Sequence, residues 1–132
     1  MKPPDATVLC VEDDPQLRSV YGRYFSVVGI TPLLATSCAE AREQGDACHG
    51  KIVLVTDGDL PDGNGSRVIK DIYELKGYLL VAVFLVSAYP GRHADEVLAF
   101  FQQTGIPCQV LDKGDVPFAR LVKLICKLDV SK

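Results

Sequence analysis

The stretch that decides the fold is Ile52-Val53-Leu54-Val55-Thr56-Asp57-Gly58-Asp59-Leu60-Pro61-Asp62-Gly63-Asn64-Gly65. A run with almost no polar position passes directly into a turn segment dense in aspartate, glycine and proline. A short apolar run bounded by turn residues reads as a strand covered on both faces. Strands of this kind belong to parallel sheets sandwiched between helices, so the flanking sequence should alternate between strands and amphipathic helices.

Upstream, residues 6–11 form a first strand. Asp14-Pro15 then reads as a helix start, with Asp at the N-cap and Pro at the first helical position. Leu17, Val20, Tyr21, Tyr24 and Val28 recur at helical spacing along one face, and Gly29 marks the end. Residues 31–35 form a second strand. Residues 37–44 form a short helix, with Ser37 and Glu40 spaced as a capping box. Downstream, Val68, Ile69, Ile72 and Leu75 line a helix, and residues 79–86 are the most apolar strand. Residues 92–103 read as a helix with Ala94, Val97, Leu98 and Phe101 inward. Residues 106–111 are a fifth strand, and Phe118, Leu121, Val122, Ile125 and Leu128 mark a last helix. The expected fold class is α/β: five β-α units in a doubly wound, five-stranded parallel sheet with right-handed crossovers.

Composition agrees with one domain. The chain has 132 residues, 48% of them apolar and 23% charged. The longest apolar run, residues 78–86, is nine residues, and a membrane span needs about 20. Asp and Glu outnumber Lys and Arg by 17 to 14, which argues against a nucleic-acid surface. Cys10, Cys38, Cys48, Cys108 and Cys126 form no C-x-x-C pair. They read as reduced thiols of a cytoplasmic protein, with Cys10 and Cys126 buried. His49 and His93 lack a partner at metal spacing and read as surface residues. Tyr21, Tyr24 and Phe25 read as core or rim of the first helix. Arg120, Lys123 and Lys127 read as a solvated helical face.

In such sheets, ligands bind beyond the carboxyl ends of the strands. Glu12, Asp13 and Asp14 follow the first strand, Asp57 and Asp59 the third, Ser87 the fourth and Lys113 the fifth. Carboxylates gathered at one sheet edge repel one another unless a cation sits among them. An all-oxygen ligand set selects a hard cation, most simply Mg²⁺. A lysine and a hydroxyl beside such a centre make a phosphoryl site. Neither a Walker A pattern nor G-x-G-x-x-G is present, so no glycine loop cradles the phosphoryl group. Taken singly, these residues have plainer readings: Asp14 as a helix cap, residues 57–65 as a polar turn, Lys113 as a solvated lysine, Ser87 as a cap.

Val8-Leu9-Cys10-Val11-Glu12-Asp13-Asp14-Pro15, then Thr56 through Gly65, then Val86-Ser87-Ala88, then Lys113, resembles the receiver domain of two-component response regulators. The resemblance covers about residues 6–129. It implies a flavodoxin-like sheet of order 2-1-3-4-5 and a single receiver domain over residues 1–132, with no output domain. By the same resemblance Asp57 is the phosphoacceptor, taking a phosphoryl group from a histidine kinase or phosphotransfer protein. Asp13 binds Mg²⁺ directly, Glu12 acts through water, and Asp59 offers its backbone carbonyl. Ser87 bonds the phosphoryl oxygen, and Lys113 pairs with it. The implied product is a signal rather than a turned-over substrate: a surface within residues 90–128 meets a downstream protein, with a homodimer as one arrangement. No membrane or direct nucleic-acid partner is implied.

The sequence departs from the family in two places. Gly114 follows the lysine where proline is usual, which alters the loop over residues 114–116. Val110 stands where the family has its switch aromatic, and Tyr89 is the candidate replacement. Two other readings stay open. Asp57-x-Asp59 also resembles the nucleophile motif of haloacid-dehalogenase-type phosphatases, although that motif follows the first strand and here it follows the third. A degenerate receiver used only for binding is the other.

Overall fold

The computed structural model describes residues 2–114 and 118–130. The elements in order are β1 (Thr7–Val11), α1 (Pro15–Val27), β2 (Leu33–Ala35), α2 (Cys38–Ala47), β3 (Ile52–Asp57), α3 (Gly65–Lys76), β4 (Leu80–Ser87), α4 (Ala94–Thr104), β5 (Cys108–Asp112) and α5 (Phe118–Cys126). The sheet runs β2-β1-β3-β4-β5 and all its pairings are parallel. This is the expected doubly wound, flavodoxin-like arrangement, in the expected order.

All of β3 is buried, which is why its sequence carries no polar alternation. Successive side chains point to opposite faces. Leu9, Val11, Ile52, Leu54 and Leu85 join one core with Ala41, Ile69, Ile72 and Val97 from α2, α3 and α4. Val8, Cys10, Val53, Val55 and Phe84 join a second with Tyr21, Phe25, Leu121 and Ile125 from α1 and α5. Tyr21 meets Phe118 edge to face at 4.9 Å, tying α1 to α5.

The helix ends explain how the strand-end residues are held. Asp14 caps α1, its Oδ1 accepting from the Gln16 amide at 2.8 Å, with Pro15 in the first turn. Gly29 follows the helix at φ +81°, and the Ile30 amide donates back to the Phe25 carbonyl at 3.0 Å. Ser37 caps α2, accepting from the Glu40 amide at 3.1 Å. The Glu40 carboxylate instead accepts from the Thr36 hydroxyl at 2.7 Å, so only half of the expected capping box forms. The Asp62 carboxylate accepts from the Cys38 and Ala39 amides at 2.8 and 3.1 Å, anchoring the turn after β3 to α2. Asn64 caps α3 through the Arg67 amide at 2.9 Å.

Several expectations need correction. The segment 57–65 is more than a turn: Asp59–Leu60 and Gly63–Asn64 pair as a short antiparallel ladder. The second and fifth strands start later than expected, at Leu33 and Cys108. Helix α4 begins at Ala94 and turns a different face inward. Val97 is buried, but Ala94 is exposed, and Leu98 and Phe101 are 53% and 45% exposed. Phe100 packs against the core in their place. His93 is buried and not a surface residue, because its imidazole lies in the space beside Gly58 that a side chain there would fill. Cys126 is only half-buried, whereas Cys10 is fully buried, and all five cysteines are free thiols. Asp115, Val116 and Pro117, which carry most of the altered loop, lie outside the described residues. No helix among the described residues is long and apolar enough to cross a membrane.

Candidate functional site

The parallel register carries the ends of β1, β3, β4 and β5 to one edge of the sheet. Val11 pairs with Thr56, Asp57 with Val86, and Ser87 with Asp112. Glu12, Asp57, Ser87 and Lys113 therefore converge although they are up to 101 positions apart in the chain, which the crossovers make possible. The Lys113 amide donates to the Ser87 carbonyl at 2.7 Å, so the lysine leaves β5 in a fixed direction. The Gly58 amide donates to the Val86 carbonyl at 3.0 Å and continues the ladder one residue past Asp57. Gly65 lies so close beneath Asp57 that a Cβ there would sit 2.5 Å from the Asp57 carbonyl oxygen. Only glycine lets the turn fold back this tightly under the strand end.

At this edge the Lys113 ammonium bridges two carboxylates, 3.0 Å from Asp57 Oδ2 and 3.1 Å from Glu12 Oε1. Glu12 is 1% exposed and Asp57 is 8% exposed. The other Glu12 oxygen accepts from the Asp14 amide at 3.2 Å. Arg18 binds the Glu12 and Asp13 carbonyls at 2.9 and 2.8 Å, which fixes the backbone of the acidic turn. Ligand oxygens of Glu12, Asp13 and Asp57 lie within 4.8 Å of one another, with Asp13 exposed at the mouth. Asp59 is exposed, outside that cluster, and its backbone pairs with Asn64.

Burial pushes the Glu12 carboxyl up from 4.5 to about 7, helped by the neighbouring Asp57, against the pull of the Asp14 amide and Lys113. Burial works to lower the Lys113 ammonium, but the Asp57 and Glu12 carboxylates outweigh it and hold the group above its ordinary value. Two buried carboxylates thus face one ammonium, with the exposed Asp13 carboxylate beside them. The surplus of negative charge and the all-oxygen donors fit a hard divalent cation.

The Ser87 hydroxyl oxygen, fully buried, accepts from the Tyr89 amide at 3.0 Å. Tyr89 itself turns outward, 57% exposed, with the Arg92 guanidinium 4.4 Å from its ring centre. Val110 is half-buried against the α2–α3–α4 core. Neither side chain touches Ser87 through a hydrogen bond. His93, which lies beside Gly58 and Ser87, was not legible as a site residue: its approach depends on a glycine 35 positions earlier.

No family model and no curated protein matches this chain. Solved structures do. A response regulator receiver domain protein from Clostridium thermocellum is 20% identical with a TM-score of 0.73, covering 91% of this chain and 90% of that one. A response regulator protein from Thermotoga maritima, in complex with Mg²⁺ and beryllofluoride, is 18% identical with a TM-score of 0.73, covering 91% and 96%. The receiver domain of a sensor histidine kinase from Pseudomonas aeruginosa, with a magnesium ion coordinated in its active-site cleft, is 20% identical with a TM-score of 0.70, covering 92% and 95%. Across nearly its whole length, the chain has the fold of response regulator receiver domains.

Proposed function

We propose that residues 1–132 form a phosphoacceptor receiver domain, with its core over about residues 6–129, that takes a phosphoryl group onto Asp57. The observation that carries this reading is the Lys113 ammonium held between Asp57 and Glu12, with Asp13 alongside. A lysine so placed meets the charge that develops on a phosphoryl group transferred to Asp57. Glu12, Asp13 and Asp57 would hold Mg²⁺, with the Asp59 carbonyl as a further oxygen. The ion, when bound, neutralises phosphoryl oxygens and draws the donor into line.

The Asp57 carboxylate attacks the phosphorus of a phosphohistidine on a histidine kinase or phosphotransfer protein. A P–O bond forms, the P–N bond breaks, and the imidazole leaves with the bonding pair. Lys113 donates to a phosphoryl oxygen, and the Ser87 hydroxyl supplies a second donor once it turns toward the group. Water later attacks phosphorus and releases inorganic phosphate, restoring the carboxylate. The chain is thus a signalling component of the cytoplasm and not an enzyme with a turned-over substrate. The exposed Leu98 and Phe101 on α4 support a downstream protein contact within residues 90–128.

Beryllofluoride, which stands in for the phosphoryl group on a carboxylate, tests this reading. With Mg²⁺ present it should shift the amide resonances of Gly58, Ser87 and Lys113, and the shifts should vanish in Asp57→Asn. An unchanged spectrum would count against phosphorylation. Sustained hydrolysis of small phosphomonoesters would instead favour the phosphatase reading.

A further inference from the structure

His93 is 7% exposed, and its Nε2 has no hydrogen-bond partner among the described residues. Buried polar atoms are almost always paired, so an unpaired one calls for an explanation, and a partner that arrives in another state is one. Its surroundings name that partner. A Cβ added at Gly58 would lie 2.9 Å from His93 Nε2 and 2.9 Å from Ser87 Oγ. The ring nitrogen and the hydroxyl therefore flank the one residue after Asp57 that has no side chain. Gly58 is open space that the imidazole occupies, and any larger residue there would push it away.

Ser87 has a matching deficit. Its oxygen accepts from the Tyr89 amide, and its own proton has no acceptor among the described residues. When that hydroxyl turns to donate to a phosphoryl oxygen on Asp57, the Tyr89 bond is stretched and the oxygen needs a new donor. His93 Nε2 is a buried, unengaged nitrogen on the same side of Gly58 as that oxygen.

We propose that His93 is a positioning residue for the phosphorylated state, its Nε2–H donating to Ser87 Oγ while Ser87 donates to the phosphoryl group. The proposal rests on the phosphoacceptor reading above and assigns a role that neither Val110 nor Tyr89 fills. His93 is also the residue that precedes α4, and the Val97 amide donates to its carbonyl at 3.0 Å. A displacement of the imidazole toward Ser87 is therefore passed directly to the helix that exposes Leu98 and Phe101.

The test uses the wild-type protein and three variants. In wild type labelled with ¹⁵N at the imidazole, Mg²⁺ with beryllofluoride should shift the Nε2 resonance, and Ser87→Ala should abolish that shift. After phosphorylation by acetyl phosphate, His93→Phe should shorten the acyl-phosphate lifetime by about fivefold, the loss expected for one hydrogen bond. His93→Gln, which can place a donor at the same point, should restore most of it. An adduct on wild type with an unmoved Nε2 resonance, or equal lifetimes in His93→Phe and wild type, overturns the role of His93 alone. No adduct on wild type overturns the phosphoacceptor reading and this inference with it. The imidazole signal needs no variant to fold, so a misfolded His93→Phe protein still leaves the inference open to refutation.

Discussion

Glu12 is buried beside Asp57, and burial raises its carboxyl from 4.5 to about 7. The sign of the consequence follows from linkage. A carboxyl whose folded-state pKa exceeds its unfolded value binds its proton more tightly when folded. Its stabilisation is full below pH 4.5 and is lost as pH rises to about 7. With a chelator present, urea unfolding should show the wild type losing on the order of 1–3 kcal/mol across that window, and Glu12→Gln should flatten the loss. An equal slope in both proteins would show that another group titrates there. The place of Glu12 at a strand end was legible from the apolar run before it. Its raised pKa was not, because it depends on Asp57 arriving from β3 and on the depth of the cleft.

At the scale of elements, the β-α alternation was readable because each strand and helix carries its own period. What was not readable is anything set by a distant neighbour. Asp62 looked like one more turn residue, yet its carboxylate caps α2 across the 23 and 24 positions to Ala39 and Cys38. Helix α4 is the clearest miss. Ala94, Val97, Leu98 and Phe101 have helical spacing, but the buried line is His93 and Val97 with Phe100 packed beside them. The hydrophobic side chains left outside, Leu98 and Phe101, are the ones the proposed downstream contact would use. Two truncations separate the faces. Val97→Ala should cost about 1–3 kcal/mol in chemical denaturation, and Leu98→Ala no more than about 0.5 kcal/mol. The reverse order would mean that α4 packs as its periodicity first suggested.

For the whole molecule, the sheet order places four strand ends together, and that convergence turns ordinary residues into a site. Asp57, Ser87 and Lys113 each had a plain local reading, and only the parallel register brings them to one edge of the sheet. Mild overall acidity takes on local meaning here, since Glu12, Asp13 and Asp57 crowd together and a lysine pairs with two of them. A divalent ion that relieves this crowding binds the folded chain and not the unfolded one. Mg²⁺ at one hundred times its Kd should therefore stabilise the wild type by about 2.7 kcal/mol, read from its thermal midpoint. Asp13→Asn should lose most of that gain, and a gain that survives it would place the ion elsewhere. The most direct measurement is intact-protein mass after incubation with Mg²⁺ and acetyl phosphate. One phosphoryl adduct is expected on the wild type, absent without Mg²⁺ and absent in Asp57→Asn. An unmodified wild type, or an adduct that persists in Asp57→Asn, would contradict the assignment of Asp57 as phosphoacceptor.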